Sequence, residues 1–249
     1  MPSRDFACAA SVLAASVLDG PATALREAAR TRVSVHFETG DPRQPVLTVC
    51  TPEAVRLPDA VVSGTLPPSE IRAGGGRLSA PGGTWRVVRW WRPPAPRGLP
   101  VPSRTGGPAP VLPEGSLPDG RLPAATYDGL VPADLLGAGA GLTPAGDDIL
   151  AGALVTAHAT ADPRLGDWTR ATRAALSNRA TTAVSRGMLH QALRGYATPQ
   201  LAACLAAVCR GPDPAPAVTT LLGVGHSSGA ALWFGVVHTL TTRSMRSAA

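Results

Sequence analysis

A chain of 249 residues, 44% hydrophobic and 16% charged with a formal net charge of +6, reads as soluble and globular, with room for one large domain or two small ones. No segment reaches the roughly 18 uninterrupted apolar residues of a transmembrane helix, so no membrane partner is expected. The chain has no lysine, its 23 basic residues being scattered arginines, and the nearest cluster, Arg86, Arg89, Arg92 and Arg97 beside three tryptophans, has no nucleic-acid motif with it, so no nucleic-acid partner is expected either.

Cys8, Cys50, Cys204 and Cys209 form no CxxC pair and no metal-ligand spacing. They read as buried free thiols in a reducing compartment, which makes the expected location cytoplasmic. The N-terminal run ACAASVLAASVL imitates a weak signal peptide. With Asp5 against it and a single preceding arginine, it reads instead as a helix packed on the domain.

In chain order, residues 6–18 and 21–30 read as two short helices separated by Gly20-Pro21. From Arg32 to Glu38 the residues alternate with period two, which predicts a strand. Pro45–Cys50 and Asp59–Ser63 read as further strands, Gly74–Gly76 as a turn, and Thr84–Trp91 as the most strand-like run of all. His36 inside this region reads as structural. Residues 92–123 hold ten prolines, which forbid regular helix and central strand and predict a long connection. Beyond it the pattern is helical: Tyr127–Leu136, Asp147 to about Thr160, Asp162 to Ser177 with Trp168 in the core, Thr181–Arg194, Thr198–Cys209, Ala217–Leu222, and a last helix from about Gly225 to Thr242. The expectation is an α+β protein. Residues 1–91 form a β-rich antiparallel sheet or small barrel with leading helices, 92–123 a Pro/Gly-rich connection, and 124–249 a mostly α-helical domain.

Two stretches carry chemistry. The first is Gly137–Gly152, GAGAGLTPAGDDILAG. Thr143 reads as an N-cap and Pro144 as the first helical residue. The glycines before them let backbone N–H groups approach a ligand, and a helix N-terminus with exposed donors suits an anion. Asp147 and Asp148 follow, roughly 100° apart around the helix, so they cannot both face one point. One can act as a base or ligand while the other caps or pairs. A divalent cation is an open alternative, since hard cations favour carboxylates, although two carboxylates alone are few. The second stretch is Gly223–Gly229, GVGHSSG, again small residues and hydroxyls opening an apolar helix. Gly146/Gly152 and Gly229/Gly235 are each six apart, so the two helices are expected to pack closely and present both N-termini to one pocket. His226 is the histidine best placed for proton transfer, against a capping or packing role. HSSG lacks the GxSxG elbow of a serine hydrolase, and neither a P-loop nor a Rossmann fingerprint is present.

GLTPAGDDILAG, then TTAVS, then GHSSGAALWFG resembles the family of the AllH-type subunit of oxamate carbamoyltransferase, chiefly from about Leu130 to Val237. The resemblance implies a part in allantoin breakdown, where oxalurate and phosphate are exchanged for oxamate and carbamoyl phosphate with other subunits present. The chain is then expected to be a carbamoyltransferase or its subunit, binding a small anionic metabolite such as a ureido acid, carbamoyl phosphate or phosphate. Asp147, Asp148 and His226 would be catalytic. Gly139, Gly141, Thr143, Gly146, Thr182, Ser185, Ser227, Ser228 and Gly229 would hold the substrate. One departure stands out: the family pattern carries an acidic residue just after SSG, where this chain has Gly229-Ala230-Ala231. Two other readings stay open, a non-catalytic subunit supporting a partner enzyme and a metal-dependent amide or phosphate hydrolase.

Overall fold

The computed structural model describes residues 4–102, 107–109, 111–112 and 130–247. The expected helix over Tyr127–Leu136 and the connection over 92–123 therefore lie partly outside the described residues. Two compact units form, Met1–Pro93 with Arg186–His190 and Pro94–Ser185 with Gln191–Ala249.

The first unit is a closed barrel of eight strands: β1 (Arg4–Ser11), β2 (Thr23–Arg30), β3 (Ser34–Glu38), β4 (Val46–Cys50), β5 (Ala60–Ser63), β6 (Glu70–Gly74), β7 (Arg77–Ala80) and β8 (Gly83–Trp91). Their order around the barrel is β1-β5-β4-β3-β2-β6-β7-β8. Most pairings are antiparallel, but β4–β5 and β1–β8 are parallel, so of the expected antiparallel sheet or small barrel it is the barrel that forms, with mixed pairing. Closure removes the unpaired edges that an open sheet would expose.

The two leading helices are not there. Residues 4–11 form β1, which pairs with both β5 and β8 and so closes the barrel. A 3₁₀ turn at Val12–Ala14 and a one-turn helix, α1 (Ala15–Leu18), follow. Residues 23–30, TALREAAR, are helix formers by intrinsic preference, yet they form β2 because cross-strand pairing and burial of Leu25 outweigh propensities of a few tenths of a kcal/mol per residue. Leu25, Phe37, Leu47, Leu78 and Trp85 fill the interior. His36 is buried there. Its Nδ1 meets the Thr48 hydroxyl at 3.0 Å and its Nε2 the Ser34 hydroxyl at 3.0 Å, and burial pushes it down to about 4. It is a neutral structural histidine. All four cysteines are buried free thiols.

The second unit is helical: α2 (Pro132–Leu135), α3 (Ala145–Thr160), α4 (Leu165–Asn178), α5 (Ala183–Ala192, with Arg186–His190 assigned to the barrel unit), α6 (Pro199–Arg210), α7 (Ala215–Leu222) and α8 (Ser228–Ser247). Every α3 residue except His158 is buried, the mark of a central helix surrounded on all sides. It ends at Ala161, the one described non-glycine residue with positive φ. Thr198 caps α6 by accepting from the Leu201 N–H, as its Thr-Pro signature suggests. The extended segment after Pro93 is stitched onto this unit. The Ala197 N–H donates to Pro94 O, the Leu99 N–H donates to Ala159 O, and Arg97 donates to the Arg194 and Gly195 carbonyls.

Candidate functional site

The α3 and α8 helices approach closely because glycine stands at their crossing. A methyl group at Gly152 would sit 2.3 Å from the Leu232 carbonyl oxygen, and one at Gly235 would sit 2.2 Å from that of Ile149. No side chain relaxes a contact with backbone at that distance. Their N-terminal ends meet as well: the Thr143 and Ser228 hydroxyls share a hydrogen bond of 2.9 Å across 85 residues of sequence. The two glycine-rich loops thus form one structure.

Thr143 is not the N-cap. Pro144 occupies that position, with extended backbone and no side-chain cap, and α3 begins at Ala145. The Thr143 hydroxyl is turned to Ser228 instead. Nor is the expected row of free amides present in the first turn. The Gly146 N–H donates to Ala138 O at 2.8 Å, and the Asp147 N–H to Pro144 O at 2.9 Å. Gly146 and Gly229 are close-packing positions, since a methyl at either would stand 2.0 Å from a carbonyl oxygen, of Leu135 and Leu221 respectively. Gly139 and Gly141 have φ of 116° and 94°, which carry the loop between α2 and α3 through conformations that side chains resist.

The two aspartates divide their roles. Asp147 is fully buried. Its Oδ1 accepts the Gly137 N–H at 2.8 Å and its Oδ2 the Thr181 hydroxyl at 2.5 Å. It therefore ties the start of the glycine loop and the approach to α5 to the first turn of α3. Gly137 and Thr181 were not among the expected binding residues, although both border the motifs that were. Asp148, 1% exposed, faces a different environment. Its Oδ2 is buried with no hydrogen-bond partner. Burial pushes its carboxyl up to about 8, helped by the charge of Asp147 and opposed by the neighbouring Ser228 and Thr143 hydroxyls. Those hydroxyls influence the carboxyl, but Oδ2 itself stays unsatisfied. A buried polar atom without a partner costs about 1–3 kcal/mol, so its retention calls for a structural or functional reason.

The remaining expected residues fall around this centre. The Thr182 hydroxyl donates to Leu142 O at 2.5 Å and accepts the Ser185 N–H at 3.0 Å, so it caps α5 and pins the loop just before Thr143. The Ser185 hydroxyl is buried without a partner. Ser227 is half-buried in the turn before α8, and its carbonyl accepts the Ala231 N–H. His226 is exposed at the tip of that turn, and among the described residues no hydrogen bond joins it to either aspartate. The structure thus brings Thr143, Asp148 and Ser228 together, uses Asp147, Gly146, Thr182 and Gly229 for support, and leaves His226 on the surface. Among the described residues no three His, Cys, Asp or Glu side chains gather as a metal-ligand group, and both Asp147 oxygens are already committed. No helix among them is long and apolar enough to cross a membrane.

Residues 135–240 match the family model described as oxamate carbamoyltransferase subunit AllH. The matched stretch contains both loops, which supports the AllH-type resemblance read from them. No curated protein and no solved structure matches the chain.

Proposed function

We propose, from the AllH-type family matched by residues 135–240, that this chain is a subunit of a carbamoyltransferase of the oxamate type. Its ligand site lies where the N-terminal ends of α3 and α8 meet. The observation that carries the reading is the joining of the two motif loops through Thr143 and Ser228 beside the unsatisfied Asp148 carboxyl. The ligand class is a small metabolite with a ureido, carboxamide or carbamoyl phosphate group, exchanged as oxalurate and phosphate for oxamate and carbamoyl phosphate.

In such a transfer the carbamoyl carbon passes between nitrogen and a phosphate oxygen, and negative charge builds on the carbamoyl oxygen. Positioned donors stabilise that charge. Thr143 and Ser228 supply hydroxyl donors here. Asp148 holds or exchanges a proton at the amide end. Asp147 positions the loop and does not touch the ligand. His226, on the exposed turn, is free to meet solvent or a partner subunit.

Calorimetric titration of the full chain with oxalurate tests the reading. Binding is expected, and Ser228→Ala and Thr143→Val are each expected to weaken it about tenfold, as the loss of a buried hydrogen bond to a ligand does. Binding unchanged by either substitution would place the ligand elsewhere.

A specific observation favours a second reading, a supporting subunit without chemistry of its own. Asp148 is 1% exposed, and Ala230 and Ala231, which follow SSG, supply no carboxylate. Carbamoyl phosphate formation by an assembly in which Asp148 has been replaced separates the two.

A further inference from the structure

Strand β8 runs from Gly83 to Trp91, and its two neighbours do not match it in length. β1 pairs with it as far as Trp91, whereas β7 pairs with it only from Gly83 to Arg86. One more backbone bond follows on the β7 side, the Val87 N–H donating to Gly76 O at 3.0 Å. There the chain turns back towards β6. Val88–Trp91 thus project past the closed ring of strands. Among the described residues no backbone hydrogen bond reaches the side of this overhang that faces away from β1. The donors and acceptors that alternate along such an edge are a template for one more strand.

The side chains at the overhang are open as well. Val88 is 65% exposed and Trp90 39%. Val87 faces Cys8 and Arg89 faces Ala9, so Val88 is an extra residue in the ladder, and a bulge of this kind re-aims its side chain. Arginines crowd the same end of the strand. Arg77 and Arg86 stand directly opposite one another across β7 and β8, and Arg89 follows. Like charges directly opposite in a sheet are destabilising. Asp5 lies 3.7 Å from Arg86, with both side chains more than half exposed, a weak pairing. Among the described residues neither Arg77 nor Arg89 has an ion pair.

We infer that the overhang Val88–Trp91 is a docking edge for an extended acidic segment of another polypeptide. The segment adds as a short strand beside β8. Its carboxylates stand against Arg77, Arg86 and Arg89, and its apolar side chains against Val88 and Trp90. Charge decides the occupant. A second copy would bring its own β8 arginines to the edge, and like charges reject it. A single-stranded nucleic acid has the right charge, but it needs successive aromatic faces to stack on. Trp85 is buried in the barrel and stacked on Phe6 at 4.9 Å, and the Arg56 guanidinium lies over the Trp91 ring at 5.4 Å. Trp90 is left as the open face. A nucleic-acid backbone also has no donors and acceptors at strand spacing, whereas an acidic polypeptide has both these and the charge. The edge belongs to the barrel unit, and the inference is independent of the ligand site proposed above.

The probe is a labelled peptide in which glutamate alternates with valine or threonine, and fluorescence anisotropy on the full chain is expected to show saturable binding. An analogue with alternate backbone amides N-methylated keeps every charge and loses the strand bonds. It is expected to bind at least about tenfold more weakly. Arg89→Glu is expected to weaken the probe at least about tenfold. Arg77→Glu is expected to weaken it as much while raising the melting temperature, because the pair with Arg86 then carries opposite charges. Lost binding is thereby separated from lost folding. Arg173→Glu, the same change of charge at an exposed position on α4, is expected to hold the probe within about twofold, since it alters net charge and not the edge. Absence of binding by the wild type, equal weakening by Arg173→Glu, or indifference to N-methylation overturns the inference. Tighter binding of an oligothymidylate of equal charge overturns it in favour of a nucleic acid. Self-association that Trp90→Ser abolishes, measured by sedimentation, overturns it in favour of a second copy.

Discussion

The hydroxyls of Thr143 and Ser228, 85 residues apart in sequence, share a hydrogen bond of 2.9 Å where the N-terminal ends of α3 and α8 come together. The bond is part-buried and couples the two loops energetically. Thr143→Val and Ser228→Ala are each expected to cost about 1 kcal/mol, the usual net worth of such a bond. Because both substitutions remove the same interaction, the double variant is expected to cost little more than either alone. A double-mutant cycle in urea measures this, with a coupling of about 0.5–1.5 kcal/mol expected and strict additivity contrary to it.

Asp147 and Asp148 are expected to separate sharply in stability measurements. Asp147→Ala leaves the part-buried Gly137 N–H and Thr181 hydroxyl without their acceptor and removes a fully buried side chain, and about 2–4 kcal/mol should be lost. Asp148→Asn removes a buried ionisable group whose Oδ2 has no partner, and it should leave stability at pH 7 unchanged or raised. Equal losses in chemical denaturation would contradict this division of roles.

The same asymmetry fixes a pH dependence. The Asp148 carboxyl sits at about 8 in the folded chain against an ordinary 3.8, so the folded state binds the proton that the unfolded state releases. Stability therefore falls as pH rises from about 4 to about 8 and then levels. His36 acts in the opposite sense. Its folded value of about 4 lies below 6.5, so its contribution is complete above about 6.5 and is lost as pH falls towards 4. Unfolding midpoints measured from pH 4 to pH 9 should lose the fall between about 6.5 and 8 in Asp148→Asn, and should fall more steeply between about 4 and 6.5 in His36→Asn, where His36 no longer offsets Asp148. Parallel profiles for wild type and both variants would contradict these assignments.

The close approach of α3 and α8 makes a further prediction. Gly152→Ala and Gly235→Ala drive a methyl group into backbone carbonyls at 2.3 and 2.2 Å, so each should cost at least about 1–3 kcal/mol. Gly166→Ala, on α4 with nothing within 4 Å of its added methyl, should stabilise by up to about 1 kcal/mol. Melting temperatures of the three variants give the comparison, and tolerance at Gly152 or Gly235 would mean that the helices do not meet there.

The meeting of the two loops was legible from the sequence, because Gly146/Gly152 and Gly229/Gly235 repeat one close-packing spacing at the start of two apolar helices. Strand β3 was legible from its period-two pattern, and β4, β5 and β8 from strand-forming runs bounded by turn residues. Strands β1 and β2 were not. Their ACAAS and TALREAAR runs favour helix locally, and only partners distant in sequence make them strands. A register shift between Glu27 and Ala29 even brings Glu27 and Arg30 into an ion pair at i,i+3, a spacing that reads as helical. The aspartates were visible as a pair with divided roles, but which of them would take the supporting role was not. It depends on Gly137 and Thr181 reaching Asp147 and not Asp148, which is a matter of tertiary placement. The cap at Thr143 was misread for the same reason, since Ser228 competes for its hydroxyl.

The proposed ligand site, with Asp148 beside the joined Thr143 and Ser228 hydroxyls, is open to a direct test in the proposed transferase assembly. The most direct measurement is carbamoyl phosphate formation from oxalurate and phosphate by the assembly purified with this chain, comparing wild type, Asp148→Leu and the Gly166→Ala control. Turnover with wild type and Gly166→Ala, and a loss of at least about a hundredfold with Asp148→Leu in an assembly that still forms, is the expected result. Undiminished turnover with Asp148→Leu would contradict the account.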